Sequence, residues 1–280
     1  MLDSTKWTDV SLKRNVYTEA YEPIQPYIFT EFLREFNADV LLDIGANIGF
    51  YSLAAAEVPS VKQIRAYEPM PSTFRELQEN VKLNELSKKI TCCNIALSDS
   101  AGSIDFGVIG EYSGSNSIVD TSIHQPDTFK KVVSVQRTTL DSDVDIKDKF
   151  VAIKIDVEGH EMNVLSGAAR TLSQNNILMQ IESYSDDVDI KAFLENFGLR
   201  FVFNIGPDMY FLKSDKTFSK DDLCNLLGRA FLPMIEDRKR TLSSSDQPIN
   251  IKFGPEMSLQ ISGSLAQTAR NLKKKAKSLF

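Results

Sequence analysis

Two acidic stretches carry the residue types best suited to chemistry. Lys154-Ile155-Asp156-Val157-Glu158-Gly159-His160-Glu161 follows an apolar run, and Gln180-Ile181-Glu182 closes another. Alternate residues of a strand share a side, which puts Lys154 and Asp156 together, with Glu158 joining them if the extended conformation continues. A partly desolvated carboxylate can take the proton of a hydroxyl, and a histidine has the intrinsic pKa for the same task. The order of preference for such a base is Asp156 or Glu158, then His160, with Glu182 a further alternative. His160 also reads as a residue at a helix start, bonded to backbone. His124, in a polar loop, reads as solvated. Hard oxygen ligands suit Mg²⁺, but no further ligand spacing is diagnostic and no metal is expected.

A second constellation lies in Val40-Leu-Leu-Asp43-Ile-Gly45-Ala-Asn47-Ile-Gly49-Phe-Tyr-Ser52, where a buried strand runs into a glycine turn and then a helix near Phe50. Glycines there let backbone pass close to a ligand. A dinucleotide turn reads G-x-G-x-x-G, whereas this one is G-x-x-x-G and lacks a P-loop lysine. Asp43 would oppose a phosphate, so a cationic or zwitterionic ligand suits the turn better. Ala66-Tyr67-Glu68-Pro69 ends the next strand, and an acid about 20 positions beyond such a turn accepts bonds from both ribose hydroxyls. Ribose without phosphate beside acidic strand ends points to S-adenosylmethionine. Asp43, Gly45, Asn47, Gly49, Glu68 and Pro69 are its expected contacts. The third strand tip, Asn94-Ile95-Ala96-Leu97-Ser98-Asp99, would flank the adenine, and Asp156 would face the methyl group.

The elements that position these residues follow an α/β pattern from Asp39 to about Ser214. Apolar runs at 40–44, 64–67, 90–95, 150–155 and 177–181 are continuous rather than alternating, as in parallel strands covered on both faces. Thr73-x-x-Glu76 resembles a capping box ahead of Phe74, Leu77 and Val81. Met162, Leu165, Ala168, Ala169 and Leu172 make one helical face. Segments 103–108 and 132–136 read as extra strands around a polar loop at 111–128, and 200–204 with 209–213 read as a hairpin. Ile28, Phe29, Phe32, Leu33 and Phe36 form an amphipathic helix. Residues 215–256 give no clear pattern.

Composition narrows the function class. With 42% hydrophobic and 25% charged residues in 280, the chain is an ordinary globular one, and its net charge of −6 opposes a broad nucleic-acid-binding surface. It contains no apolar run of membrane-spanning length, and its first residues have no signal-peptide core. Cys92, Cys93 and Cys224 fit no metal or redox spacing and read as reduced thiols, which implies a cytoplasmic protein. Near the end, Leu265, Ala269, Leu272, Ala276 and Leu279 share a face among lysines. That face reads either as a solvated helix or as a basic amphipathic helix in peripheral contact with a membrane. The implied layout is an N-terminal helical extension (1–38), a catalytic domain (39–214) and a C-terminal extension (215–280).

The segments LLDIGANIGFYS (41–52), YEPMPSTFRELQENVKLN (67–84), NIALSD (94–99) and above all IKIDVEGHEMNVLSGA (153–168) resemble the FkbM family of S-adenosylmethionine-dependent methyltransferases. The resemblance spans roughly 38–213. It implies a Rossmann-like sheet of about seven mostly parallel strands, ending in an antiparallel hairpin and covered by helices on both faces. It also implies methyl transfer to a hydroxyl of a sugar, glycan or secondary metabolite. It attaches to the carboxylates and not to His160, which stands where such proteins often carry a small residue.

Two competing classes remain at this level. An NAD(P)-dependent oxidoreductase lacks support because the middle and third glycines of its turn are missing. A cofactor-binding fold without catalysis is opposed by the intact Asp43, Gly45, Glu68, Asp156 and Glu158. An amino-methylating enzyme of nucleic acids carries Asn or Asp followed by Pro-Pro and an aromatic where this chain has Asp156-Val-Glu-Gly. The expected partner is therefore a small-molecule or glycan hydroxyl, not a nucleic acid. Oligomeric state is not legible.

Overall fold

The computed structural model describes residues 24–108, 117–118, 131–183, 188–241, 249–253 and 257–261. The chain begins with α1 (Gln25–Glu35), β1 (Val40–Ile44), α2 (Phe50–Ala56), β2 (Gln63–Tyr67), α3 (Pro71–Leu83) and β3 (Ile90–Cys93). Four strands and a short helix follow: β4 (Ala96–Leu97), β5 (Gly102–Val108), β6 (Ser117–Ile118), β7 (Lys131–Thr138) and α4 (Leu140–Asp143). Then come β8 (Phe150–Ile155), α5 (Glu161–Ser166), α6 (Ala169–Gln174), β9 (Asn176–Glu182) and α7 (Val188–Glu195). The last elements are β10 (Arg200–Ile205), β11 (Asp208–Lys213), α8 (Lys220–Thr241), β12 (Ile249–Phe253) and β13 (Met257–Ile261).

Seven strands form the central sheet in the order β10-β11-β9-β8-β1-β2-β3. β1, β2, β3, β8 and β9 run parallel, and β11 is antiparallel to both its neighbours. This is the Rossmann-like sheet with a terminal hairpin that the motifs imply. Strand alternation divides its apolar side chains between two cores. Leu41, Ile64, Ala152, Leu178 and Tyr210 pack under α1, α2, α3 and α8. Leu42, Ile44, Ile153, Met179 and Phe211 pack on the other face with Val164, Leu165, Leu172, Ile190 and Leu194. Both faces are covered, which is why β1, β8 and β9 read as unbroken apolar runs.

A second sheet, β4-β7-β5-β6, lies beside the first. The strand expected over 90–95 stops at Cys93, and the chain re-enters structure as β4, parallel to β7. The extra strands at 103–108 and 132–136 appear as β5 and β7, paired antiparallel. Of the loop at 111–128, only Ser117 and Ile118 are among the described residues; His124, residues 1–23 and the basic tail lie outside them.

Three local expectations are corrected. The capping box at Thr73–Glu76 does not form: α3 starts at Pro71 with Met70 at its N-cap, because proline is pre-set for the first helical position. The face at 162–172 belongs to two short helices, α5 and α6. They divide at Gly167, whose α-carbon lies so close to Ser98 that a Cβ there would sit 2.1 Å from its carbonyl oxygen. The unreadable stretch after 214 contains α8, whose Leu223, Leu226, Leu227, Ala230 and Phe231 are buried with Phe29, Phe32 and Leu33 of α1. Phe32 also stacks against Tyr210 and Phe203, at 5.7 and 6.1 Å between ring centres. Both flanking helices thus share the core of the sheet. No helix among the described residues is long and apolar enough to cross a membrane.

Candidate active site

The glycine turn after β1 is held from three sides. Gly45 (φ 80°) and Gly49 (φ 95°) adopt left-handed conformations, as does Asn47 (φ 50°), a residue type that tolerates them. The amides of Gly45 and Ala46 both donate to the Tyr67 carbonyl, at 3.0 and 2.9 Å. Asp43 is fully buried, and its Oδ2 accepts bonds from the Ser52 amide (3.0 Å) and hydroxyl (2.6 Å). Burial pushes its pKa up to about 6, against the pull of Ser52 and Lys154. The carboxylate thus pins the first turn of α2.

Glu68, at the tip of β2, joins the same turn. Its Oε2 accepts the Asn47 amide at 3.0 Å and its Oε1 the Met70 amide at 2.9 Å, so one side chain spans both loops. Each oxygen keeps a second lone pair. Burial raises its pKa to about 7, with the charges of Asp156 and Asp43 adding to the effect and the two amides opposing it. Asn94 secures this corner, its Nδ2 donating to the carbonyls of Glu68 (2.8 Å) and Pro69 (3.0 Å). Ala96 is buried behind it in a small cluster with Met70, Phe106, Ile118 and Val135.

The acidic ends of β8 and β9 converge on one buried ammonium. Lys154 Nζ lies 3.7 Å from Asp156 Oδ2, 3.9 Å from Glu182 Oε2 and 3.5 Å from Asp208 Oδ1. It also faces the Tyr51 ring at 5.1 Å. Gln180 donates from Nε2 to Asp208 Oδ1 (2.6 Å) and to the Tyr51 hydroxyl (2.8 Å), and its Oε1 accepts from the Tyr210 hydroxyl (3.0 Å). Lys154 and Asp156 do share a side, as alternation requires. Glu158 departs from the strand: with φ 52° it begins a left-handed turn completed by Gly159 (φ 97°). Burial raises the Glu158 pKa, and the Asp156 and Glu161 charges add to the rise. Glu161 fastens the turn by accepting the Gly159 amide at 2.9 Å.

His160 is the N-cap residue of α5 but makes no side-chain capping bond there. Its Nε2 instead shares a hydrogen bond with the hydroxyl of Ser98 at 2.9 Å, and Ser98 is fully buried. Arg137 donates to the same hydroxyl at 3.3 Å and pairs with Asp99 at 3.4 Å. His160 therefore belongs to a network that joins α5 to β4 and β7.

The fold thus gathers Asp43, Gly45, Asn47, Gly49 and Glu68 at one turn, and Asp156 and Glu182 at the adjoining strand ends. Gly45 joins the two groups, since a Cβ on it would lie 1.7 Å from the Asp156 carbonyl oxygen. Sequence reasoning missed Tyr51, Gln180, Asp208 and Tyr210. Gln180 alternates with Glu182 and was within reach of the strand argument, whereas Asp208 reads as an ordinary turn residue.

Residues 43–201 match the family model of the methyltransferase FkbM domain. The hexuronic acid methyltransferase AglP of Haloferax volcanii is 30% identical over 161 residues, covering 56% of this chain and 61% of that protein. The 31-O-demethyl-FK506 methyltransferase FkbM of Streptomyces tacrolimicus is 33% identical over 161 residues, covering 46% and 59%. The chain thus spans less than two thirds of either relative's length. A crystal structure of methyltransferase FkbM from Methylobacillus flagellatus shares the fold with a TM-score of 0.50 at 17% identity, covering 67% of this chain and 48% of that one. With the family model matched over more than half its length, the chain belongs to the FkbM methyltransferase family.

Proposed function

We propose that this chain transfers a methyl group from S-adenosylmethionine to a hydroxyl oxygen of a sugar, glycan or other small metabolite. The observation that carries the reading is Glu68, fixed at the tip of β2 by the Asn47 and Met70 amides with a lone pair left on each oxygen. A carboxylate so placed suits a ribose diol. The surrounding donor set fits the same ligand, since Asp43, Asp156 and Glu182 would repel a pyrophosphate and favour a cation. When bound, the cofactor supplies an electrophilic methyl carbon on a sulfonium.

The chain's own residues divide the remaining work. Asp43 holds the glycine turn through Ser52, and Glu68 takes the ribose hydroxyls. Asp156 and Glu182 set a negative field beside the donor. An alcohol attacks only as its proton leaves, and among the candidate bases Glu158 fits best, because burial and its acidic neighbours raise its basicity. Asp156 stands against an ammonium, and His160 is engaged with Ser98. The relatives named for hexuronic acid and FK506 methylation support an oxygen acceptor.

Calorimetric titration with S-adenosylmethionine and S-adenosylhomocysteine, with NADH as control, tests the donor. Binding of both sulfur compounds and not NADH is the expected result. Binding of neither would favour a non-catalytic module. Transfer of labelled methyl to a panel of hydroxylated sugars, hexuronic acids included, then tests the acceptor.

A further inference from the structure

Asp43, Lys154, Gln180 and Tyr210 occupy matching register positions on β1, β8, β9 and β11. They form a polar row across four adjacent strands, and all four are buried. A buried ammonium carries a heavy desolvation penalty unless its partners are well placed. Here the partners differ in access. The Asp208 side chain is 1% exposed, whereas those of Asp156 and Glu182 are 24% and 15% exposed. Asp208 is further engaged by Gln180 at 2.6 Å and by Gln25 of α1 at 3.4 Å. The ammonium is thus fixed on its inner side by a carboxylate that solvent does not reach, and on its outer side meets two that it does.

Resting on the methyl-transfer reading, we propose that Lys154 is a positioning residue for that reaction. Anchored inward on Asp208, its ammonium holds the outward carboxylates of Asp156 and Glu182, one on each of two adjacent strand ends, beside the donor. Without it, three carboxylates would converge on a gap, and their repulsion would spread them. The same charge reaches Glu158, where it opposes the upward push of burial, Asp156 and Glu161. The final hairpin, through Asp208, therefore helps set the charge of a site otherwise built from parallel strand ends.

The test compares Lys154→Met, Lys154→Arg and Asp208→Asn with the unaltered chain, using two readouts. Carbon-detected NMR follows the titration of the Glu158 carboxyl without any ligand, and steady-state kinetics separates kcat from the donor KM. In Lys154→Met the Glu158 midpoint should rise, kcat should fall at least about tenfold, and the donor KM should rise as Asp156 and Glu182 spread. Lys154→Arg should restore the midpoint. Asp208→Asn, which keeps shape, should lower kcat without unfolding the chain, and it decides the matter if Lys154→Met does not fold. An unmoved Glu158 midpoint in a folded Lys154→Met, or unaltered kcat in Asp208→Asn, would overturn the proposal. An unaltered chain that binds no donor would overturn the methyl-transfer reading itself, and this proposal with it.

Discussion

The α-carbon of Gly45 rests against the backbone carbonyl of Asp156, so closely that a Cβ would lie 1.7 Å from that oxygen. The turn after β1 and the acidic end of β8 are therefore a single packed unit. Gly45→Ala faces both this overlap and a φ of 80°. It should cost at least about 2 kcal/mol of stability and weaken donor binding through displacement of Asp156. Thermal melts and calorimetry on the purified variant check both effects, and an unchanged Tm would contradict the packing argument.

Glu68 carries a pH prediction. Its pKa of about 7 in the folded chain stands above its ordinary value of 4.5, so folding favours the protonated form. The stability this contributes is fully present below about pH 4.5 and is lost as pH rises through about 7. Asp43 acts in the same sense between 3.8 and about 6. Glu68→Gln should flatten the upper part of that fall in a plot of Tm against pH. The proposed ribose contact requires the ionised carboxylate, so donor affinity should rise from pH 6 to pH 8 in the unaltered chain and lose that rise in the variant.

Glu158 and His160 should separate cleanly in kinetics. Replacement of a general base lowers turnover by about a hundredfold or more, and Glu158→Gln should do so with donor affinity kept. His160→Gln keeps a partner for Ser98 and should retain most turnover. A loss at His160 as large as that at Glu158 would reverse the assignment.

α1 and α8 should report on the core rather than on chemistry. Phe32→Ala removes a ring packed among Phe36, Phe203, Tyr210 and Phe218 and should cost about 3–5 kcal/mol. Arg229 bridges Glu31 at 2.9 Å and Glu35 at 2.6 Å on the surface, and Arg229→Ala should cost less than about 1 kcal/mol. Denaturant titrations of the two variants distinguish buried packing from exposed charge.

Much of the sheet was legible because its strands are buried on both faces, which leaves apolar runs that hardly fit another element. The glycine turn and Glu68 were legible for a similar reason, as local chemistry at a strand end. What escaped was set by tertiary contact. Asp208 lies 54 positions from Lys154 and meets it only because β11 inserts antiparallel beside β9. The division of α5 from α6 depends on Ser98 meeting Gly167, and the turned conformation of Glu158 has no signature beyond the glycine that follows it. In α3, Pro71 outweighed the Thr73–Glu76 pattern because a proline's fixed φ matches the first helical position.

The burial of α1 against α8 bears on how the chain acquires its shape. α1 is made before α8, and its aromatic side chains lack their α8 neighbours until residues near 231 have emerged. Contacts between such distant parts form slowly, because a long loop must close before they yield any stabilisation. The sheet can pair from β1 to β9 beforehand, but Lys154 still waits for the hairpin that brings Asp208. The nascent protein therefore passes through a stage with the α8-facing side of Phe29, Phe32 and Leu33 uncovered, when chaperone capture or aggregation competes with completion.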